Sequence, residues 1–295
     1  MTCGRGVSDV MKMNVAKAKI IEVFTDVRAH RVIADLIRKY STNKNDVREA
    51  AIDGLTLSDC REILDLGCGF GFFTETLKGR VHPQAVVTGV DVVGGYEKVF
   101  LETCREAGLE GKFLSGSASL IKKLPVRSFD LILCSYALYF FTDLIPAISR
   151  ILTANGFFVA ITHDRNNMKE LIAVTKDVLA RNNMLKEKEL PLETIISQFS
   201  SENGTELLAP WFDRVKTVDF INALVFPPED GTKITEYVHF KGPFLLTGTE
   251  YEMEWVVQLL SIQFQQASFL QHGFTISKND RIFICSLPSD GHVRQ

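Results

Sequence analysis

Ile63-Leu64-Asp65-Leu66-Gly67-Cys68-Gly69-Phe70-Gly71 is the stretch that decides the fold class of this chain. Its first four residues are mostly apolar and predict a short buried strand. Glycines then occupy every second position, so the loop that follows carries very little side chain. Such a loop can take unusual backbone angles and let a ligand approach the peptide closely. The stretch therefore predicts a buried strand that ends in a ligand-binding turn.

A second acid follows this turn at the end of the next predicted strand. The apolar run at residues 85–90 ends in Asp91. An acid at the tip of the second parallel strand can accept hydrogen bonds from both hydroxyls of a ribose. The sequence therefore predicts that a nucleoside binds at the edge where the parallel strands end.

The spacing of the glycines argues against a dinucleotide-dependent dehydrogenase. The fingerprint of that class is G-x-G-x-x-G, whereas this chain has G-x-G-x-G with Asp65 just before it. A carboxylate at that position would repel a pyrophosphate on the same turn, but it would suit a ligand that carries an amino group. A nicotinamide-dependent oxidoreductase is therefore kept as the less favoured alternative.

With these residues in place, the sequence resembles the class I S-adenosylmethionine-dependent methyltransferases, in particular the type 11/25-like group that modifies small molecules. The first motif of that family is D-x-G-x-G-x-G, which residues 65–71 match, and an acid in the position of Asp91 binds the ribose. A strand-helix-Gly-strand segment at residues 143–162 is also similar to the family. The resemblance extends over about residues 60–165.

The resemblance implies an α/β fold with a doubly wound, seven-stranded, mostly parallel sheet of the Rossmann-like type. Alternating strands and helices in the centre of the chain favour the same fold class. Residues 215–226 and 281–287 are interpreted as an antiparallel strand pair at the sheet edge. Residues 1–58 are interpreted as an N-terminal helical cap and residues 59–295 as the methyltransferase domain. Within it, a helical insertion at about 227–272 is too long for a hairpin loop and is expected to form a lid.

The spacing of apolar residues also predicts where the helices lie. In the centre of the chain, helices are expected at residues 71–78, 95–107 and 143–152. Residues 14–40 are expected to form two helices with a break near Ala29 and His30. The insertion is expected to contain one helix, at residues 249–269.

The resemblance assigns the cofactor, S-adenosyl-L-methionine, to the turn and to the neighbouring strand ends. Asp91 would bind the ribose, Val92 would line the adenine, and Asp65 would assist the amino group or else satisfy backbone N–H groups in the turn. Many family members carry an Asp after the third strand, where this chain has serines, so the backbone of Ser117 and Ala118 is expected to hold the adenine. The expected cofactor-binding residues are Asp65, Gly67, Cys68, Gly69, Asp91, Val92, Ser117, Ala118 and Ser135.

The acceptor side is expected after the fourth and fifth strands. Residues 135–139, Ser-Tyr-Ala-Leu-Tyr, follow the fourth strand, where the reactive methyl group lies in the resembled family. They lack the Asn/Asp-Pro-Pro-aromatic motif of enzymes that methylate base amino groups or glutamine. Tyr139 is expected to shape the acceptor pocket. His163 is either a general base or a loop histidine that caps the next helix, and these two residues are the catalytic candidates.

Composition and charge narrow the classes of partner. The net charge is −3 and no long basic run occurs, which argues against nucleic acid as the main partner. Apolar runs fall short of the ~20 residues that cross a bilayer, and no signal-peptide region is seen near the start. The six cysteines are scattered without a C-x-x-C pair, so reduced thiols in a cytoplasmic protein are predicted, without a metal site.

The sequence thus predicts a methyltransferase that moves a methyl group to a small-molecule acceptor by in-line SN2 displacement. A sulfonium donor is already activated by its charge, so the enzyme mainly supplies proximity, alignment and exclusion of water. The N-terminal helices and the lid would define the acceptor pocket. A non-catalytic module that senses the cofactor or its demethylated product is the main alternative. The acceptor and the oligomeric state stay open.

Overall fold

A computed structural model describes residues 21–185, 188–246, 253–270 and 273–289 of the chain. The described residues divide into two compact units. What we call the helical unit consists of the described parts of Met1–Lys44, Asn166–Ile196 and Ile221–Asn279. What we call the sheet unit consists of the described parts of Asn45–Arg165, Ser197–Phe220 and Asp280–Gln295.

The strands form one large sheet and one small one. Their bounds are β1 Glu62–Leu66, β2 Val86–Asp91, β3 Glu110–Ser115, β4 Phe129–Ser135, β5 Leu152–His163, β6 Phe212–Phe220, β7 Ala223–Phe226, β8 Phe274–Ser277 and β9 Asp280–Pro288. The seven-stranded sheet has the order β3-β2-β1-β4-β5-β9-β6, and β7 pairs with β8 in the helical unit. Strand β9 is antiparallel to both β5 and β6, whereas β1 to β5 pair in parallel. The predicted fold class is confirmed, including the antiparallel edge pair.

The helices begin and end as follows: α1 Val27–Tyr40, α2 Val47–Ile52, α3 Glu97–Glu106, α4 Ile145–Ile151, α5 Lys169–Arg181, α6 Pro191–Gln198, α7 Gly204–Leu208, α8 Gly231–Leu246 and α9 Met253–Leu270. The predicted helices at residues 95–107 and 143–152 are present as α3 and α4. Gly108 follows α3 with φ +75°, the left-handed angle that a glycine after a helix C-terminus commonly adopts. Among the described residues, no helix is both long and apolar enough to cross a membrane.

The central strands are buried along most of their length because both faces of the sheet are covered. Ile63, Leu64 and Leu66 of β1 are all fully buried, as are Leu131 and Leu133 of β4. Continuous burial is typical of parallel strands with helices on both sides. Each such side chain stabilises the fold by roughly 1.5–3 kcal/mol relative to its exposed state. The strong core explains why the strand ends, where the polar residues lie, are held in fixed positions.

The prediction of an α-helix at residues 71–78 is wrong. The chain forms turns there and a short 3-10 helix at Thr74–Leu77. The Thr74 hydroxyl donates to Asp65 (2.7 Å), and the Thr76 hydroxyl donates to the carbonyl oxygen of Phe73 (2.7 Å). Side-chain hydrogen bonds of this kind compete with the helical backbone ladder. The segment is therefore organised by its contact with Asp65 rather than by helical periodicity.

The break before α1 lies at residues 24–26, earlier than predicted, and residues 14–20 of the first predicted helix lie outside the described part of the chain. Asp26 is the N-cap of α1, and its carboxylate accepts a hydrogen bond from the N–H of Ala29 (3.0 Å). Ala29 and His30 therefore lie inside the helix rather than at its end. An Asp at the N-cap satisfies an N–H group that has no partner within the helix, and this local signal outweighs the apolar spacing.

The predicted strand at residues 215–226 is two strands in different sheets. Strand β6 ends at Phe220, and β7 begins at Ala223 and pairs with β8. Between them, the Asn222 amide donates to the Ser41 hydroxyl (3.0 Å) and accepts from the N–H of Asn43 (3.1 Å). An Asn side chain that bonds to neighbouring chain in this way favours a break in regular structure.

The insertion contains more regular structure than predicted. The expected helix at residues 249–269 corresponds to α9, and α8 precedes it with Pro243 inside the helix. Glycine and proline within residues 227–243 argued against a helix from sequence. Burial of apolar residues such as Tyr237 and Leu245 outweighs that cost. The insertion and α1 belong to the same helical unit, and their roles as lid and cap stay predictions.

Candidate functional site

The turn after β1 needs its glycines because of its backbone angles. Gly67, Gly69 and Gly71 have φ values of +69°, +50° and +82°, in the left-handed region that favours glycine. A Cβ atom on Gly67 would also lie 2.6 Å from the Cβ of Ala137 in the loop after β4. The turn therefore combines a backbone that L side chains rarely adopt with direct contact to the neighbouring strand end. Cys68 between them is buried, and burial raises the pKa of its thiol well above the usual range.

Asp91 at the end of β2 joins this turn to the next one. Its Oδ2 accepts a hydrogen bond from the N–H of Gly69 (2.9 Å), and its Oδ1 accepts one from the N–H of Val93 (2.9 Å). Burial raises the pKa of Asp91, and the hydrogen bonds from Val93 and Gly69 offset part of that rise. Each carboxylate oxygen has two lone pairs, so one further donor can bind at each. Val92 is half-exposed beside it.

Asp65 is a buried acid of β1, two residues before this turn. Its side chain is almost fully inaccessible, and it accepts the Thr74 hydroxyl. Burial raises the pKa of Asp65 from 3.8 to about 7, the Thr74 hydrogen bond lowers it, and the charge of Asp91 raises it further. A carboxyl group in this position holds its charge poorly at neutral pH unless a cation lies beside it. Burial therefore favours the protonated form of Asp65 in acidic to neutral solution.

The loops after β2 and β3 lie against each other. A Cβ atom on Gly94 would come within 2.9 Å of the Ser115 hydroxyl. Beyond Ser115, the exposed Ser117 is the N-cap of the 3-10 helix Ala118–Lys123, and its hydroxyl accepts the N–H of Ser119 (3.3 Å). The backbone around Ser117 and Ala118 is therefore fixed by a cap.

The loop after β4 carries an unusual backbone angle. Ser135 is the last residue of β4, and Tyr136 follows with φ +53°, which is rare for an aromatic residue. Tyr139 is buried in the same loop and packs edge-on against Phe140, with ring centroids 4.7 Å apart. Burial raises the pKa of both tyrosines. Both phenols therefore stay neutral in the physiological range.

Tyr136, His163 and Asp280 form a hydrogen-bonded group that we call the Tyr136–His163–Asp280 cluster. The Tyr136 hydroxyl donates to Asp280 Oδ2 (2.6 Å), and His163 Nδ1 lies 2.6 Å from Asp280 Oδ1. The Tyr136 ring also stacks on the His163 ring, with centroids 4.5 Å apart and an interplanar angle of 24°. His163 ends β5 and Asp280 begins β9, and the two are register partners. The cluster therefore lies at the edge where the parallel strands end.

Comparison with known proteins agrees with this geometry. Residues 63–156 match the family model described as a methyltransferase domain. This segment of the chain is similar to methyltransferase domains. The match covers the turn after β1, Asp91 and the loop after β4, and it confirms the resemblance that the sequence predicts.

This chain is similar to two curated methyltransferases in sequence and to one solved structure in fold. Aklanonic acid methyltransferase DauC of Streptomyces sp. (strain C5) is 32% identical over 30% of this chain and 40% of its own length. An uncharacterized methyltransferase of Schizosaccharomyces pombe is 28% identical over 45% of this chain and 52% of its own. The chain thus spans about half the length, or less, of these relatives. The structure of a candidate methyltransferase from Bacillus halodurans C-125 aligns with TM-score 0.52 and 12% identity, over 82% of this chain and 99% of its own, and shows the shared fold.

Sequence reasoning missed Asp280. The residue precedes the last predicted strand directly, and that strand was predicted to be antiparallel. An antiparallel strand starts at the edge where its parallel neighbours end, so its first residue belongs to the functional edge. That signal could have placed Asp280 beside His163. The alternative role of His163 as a helix cap is not seen, because the N-cap residue of α5 is Met168.

The described cysteines and acids do not assemble a metal site. No group of three or more His, Cys, Asp or Glu residues that could hold a metal ion occurs in the described part of the chain. Within that part, the free and buried cysteines are Cys60, Cys68, Cys104, Cys134 and Cys285. Cys3 lies outside the described residues. The chemistry available at the strand ends is therefore that of carboxylates, tyrosines, a histidine and backbone N–H groups.

Proposed function

We propose that this protein is an S-adenosylmethionine-dependent methyltransferase that acts on a small-molecule acceptor. The observation that carries the proposal is the hydrogen bond that links the turn after β1 to the end of β2. There the N–H of Gly69, which has a left-handed backbone angle, donates to Asp91. This hydrogen bond places an acid and a stretch of bare backbone side by side, which suits a ribose and the chain attached to it. The name of the Streptomyces relative, a methyltransferase of aklanonic acid, supports a small organic acceptor.

The residues present fit the cofactor. Asp91 has lone pairs left for the two ribose hydroxyls, and Val92 offers an apolar surface to the adenine. Burial destabilises the ionised form of Asp65, and a ligand ammonium beside the carboxylate would stabilise that form again. The backbone of Gly67, Cys68 and Gly69 would follow the amino acid part of the ligand. Ser117, Ala118 and Ser135 complete the proposed contacts at the ends of β3 and β4.

The chain would then act mainly by alignment. When bound, S-adenosylmethionine supplies a methyl group on a positively charged sulfur, so the donor needs no further activation. Tyr139 would form one wall of the acceptor pocket, and His163 would face the acceptor from the end of β5. Holding the acceptor in line with the methyl–sulfur bond replaces a costly encounter in solution. Exclusion of water by residues 1–58 as a cap and residues 227–272 as a lid is part of the same proposal.

The setting of the protein is also proposed. We infer that the protein acts in the cytoplasm, that its substrate is a metabolite, and that nucleic acid is not its partner. The net charge of −3 supports the proposal that nucleic acid is not a partner, since phosphate binding depends on clustered basic residues. The free, buried thiols in the described residues support a reducing compartment.

Two measurements on the whole protein test the proposed function. Calorimetric titration with S-adenosylhomocysteine measures cofactor binding, and transfer of label from methyl-labelled S-adenosylmethionine to a metabolite extract measures catalysis. Binding together with transfer is expected. Binding without any transfer would instead indicate a module that senses the cofactor. No binding of S-adenosylhomocysteine, together with energy transfer to NADH on titration, would indicate the oxidoreductase alternative.

A further inference from the structure

We propose that Asp280 is a positioning residue that holds His163 as the proton acceptor of the reaction, and that the methyl acceptor is a hydroxyl compound. The proposal rests on the proposed function and deepens it, because it names the kind of group that is methylated. It starts from the contacts of the Tyr136–His163–Asp280 cluster. Tyr136 lies in the loop directly after β4, and His163 and Asp280 lie in β5 and β9 of the same sheet.

The hydrogen bonds of Asp280 fix which nitrogen of His163 carries the proton. An ionised carboxylate can only accept hydrogen bonds. Asp280 lies 2.6 Å from the Tyr136 hydroxyl through Oδ2 and 2.6 Å from His163 Nδ1 through Oδ1. Both neighbours must then donate, so Nδ1 is protonated and the lone pair of the neutral imidazole lies on Nε2. This is the tautomer that a general base requires.

Burial makes the contact effective. The side chain of Asp280 is 3% exposed and that of His163 is 12% exposed. In such surroundings a carboxylate stabilises the imidazolium that forms when Nε2 takes a proton, because water screens the pair only weakly. The stacked ring of Tyr136 holds the imidazole plane at the same time. Asp280 thus sets both the orientation and the basicity of His163 without contacting the acceptor.

The cluster lies close to the turn proposed for the cofactor. Strands β1, β4 and β5 are consecutive in the sheet, so the ends of β1 and β5 are about 10 Å apart at ordinary strand spacing. Between them, Ala137 contacts Gly67 directly, one residue after Tyr136. A small acceptor can therefore touch the transferable methyl group and His163 together.

The need for a base selects the acceptor. A carboxylate is already ionised at neutral pH, and an uncharged amine already presents a lone pair, so neither gains from a base. A hydroxyl gains most, because its oxygen becomes a strong nucleophile only as the proton leaves. In the proposed step the O–H bond breaks and the proton moves to Nε2. The oxygen–carbon bond forms as the carbon–sulfur bond breaks, and its electron pair stays on the now neutral sulfur.

The other charged and titratable groups around the cluster do not replace His163. Tyr136 and Tyr139 stay neutral because burial raises the pKa of both phenols. Asp46 adds a negative charge that acts on Tyr136, and Asp164 follows His163 in the chain. Additional negative charges stabilise an imidazolium rather than an imidazole, so they act in the same direction as Asp280.

A structural role alone would also explain the buried hydrogen bonds, so the test must separate the two roles. Asp280→Asn keeps the shape and removes the charge, whereas Tyr136→Phe keeps the stacked ring and removes the hydroxyl. The first should lower the rate of label transfer about 100-fold and move the acidic limb of the pH–rate profile to lower pH. Tyr136→Phe removes a hydrogen bond that partly neutralises the Asp280 carboxylate. The carboxylate then stabilises the protonated form of His163 more strongly, so the acidic limb of the pH–rate profile should move to higher pH. Rates are measured at saturating cofactor, so that pH effects on cofactor binding do not contribute.

Asp219→Asn is the matched control for Asp280→Asn. Asp219 is an exposed acid that pairs with Arg281, the next residue of β9. The same chemical change there should leave the rate and the pH–rate profile as in the parent. Affinity for S-adenosylhomocysteine should stay within about twofold in all three variants. Unchanged limbs in folded Asp280→Asn and Tyr136→Phe would overturn the positioning role.

Two further readouts keep the proposal falsifiable. Nitrogen-15 NMR of the parent protein should show His163 protonated at Nδ1, and protonation at Nε2 would overturn the proposal even if Asp280→Asn does not fold. Label transferred to a metabolite extract of the native host should appear as alkali-stable methyl ether. Label in alkali-labile ester or in methylated amine would overturn the hydroxyl acceptor and leave the proposed function intact. Cofactor binding without label in any fraction would overturn both.

Discussion

The turn after β1 and the Tyr136–His163–Asp280 cluster lie on the same edge of one sheet but hold their polar groups in different ways. In the turn, backbone N–H groups of Gly69 and Val93 surround a single acid, Asp91. In the cluster, side chains from two strands and from the loop after β4 contact one another. The turn lies within one short stretch of sequence and depends on the lack of Cβ atoms at its glycines. The residues of the cluster are far apart in sequence, and the cluster depends on side-chain hydrogen bonds. Substitutions in the turn and substitutions in the cluster should therefore have different effects on the protein.

The largest effect should come from Asp65, the acid of β1 whose ionised form is destabilised by burial. Its pKa is about 7 in the folded protein and 3.8 ordinarily, so the folded state binds the proton more tightly than the unfolded state between these values. The stability that Asp65 contributes is present below about pH 4 and lost as pH rises through 7, a change of about 4 kcal/mol. Asp65→Asn should remove most of this slope from the free energy of unfolding.

Urea unfolding of the ligand-free protein at pH 5 and pH 8 measures the slope. Asp143→Asn serves as the control, because Asp143 is an exposed acid whose carboxylate pairs with Lys122 on the surface. The control should keep the parent slope. An equal slope in Asp65→Asn and the parent would show that Asp65 is not the group that titrates.

The second prediction tests whether a side chain in the turn after β1 destabilises the protein by steric overlap. Gly67 and Gly79 have nearly the same φ, +69° and +70°, but only a Cβ on Gly67 would overlap another atom, the Cβ of Ala137 at 2.6 Å. Gly79→Ala should cost about 1 kcal/mol from the left-handed angle. Gly67→Ala should cost about 3 kcal/mol because overpacking adds to the same angle. Equal denaturation midpoints for the two variants would contradict the close approach of the β1 turn and the β4 loop.

The same contrast explains how much the sequence could reveal. Glycines at alternate positions and the acid at Asp91 lie within one short segment, so local rules find them. The cluster joins residues far apart in the chain, and the hydrogen bond between His163 and Asp280 follows only from the antiparallel register of β5 and β9. His163 could be named as a candidate, but the residue that orients it could not be named without the strand order.

The errors in the fold have a related cause. Residues 71–78 look helical by periodicity, yet the hydroxyl of Thr74 bonds to Asp65 and organises a shorter turn. Helix α8 contains Pro243 and forms nevertheless, because burial of Tyr237 and its neighbours compensates for a poor local sequence. In both places a tertiary contact outweighs the local preference, and local rules cannot register such a contact.

The third prediction concerns the acid that joins the two turns. Asp91→Ala should weaken binding of S-adenosylhomocysteine by about 1.5–3 kcal/mol, the scale of hydrogen bonds to a charged group. Part of the loss should come from the turn itself, since Asp91 also holds the N–H of Gly69. Calorimetric titration measures it, with Asp143→Ala as the surface control. Parent affinity in Asp91→Ala would remove this residue from the cofactor site.

The last prediction returns to Asp65, now with the ligand present. Between pH 6 and pH 8 a carboxyl with a pKa of about 7 passes from mostly protonated to mostly ionised. A ligand ammonium binds the ionised form, so affinity for S-adenosylhomocysteine should rise about tenfold over this range. The sign is opposite to that of stability, which falls over the same range. In Asp65→Asn the affinity should be lower and nearly independent of pH. Calorimetric titration of both proteins at pH 6, 7 and 8 decides the matter: a parent affinity that stays flat would mean that Asp65 serves only the hydrogen bond from Thr74, and that the ammonium binds elsewhere along the turn.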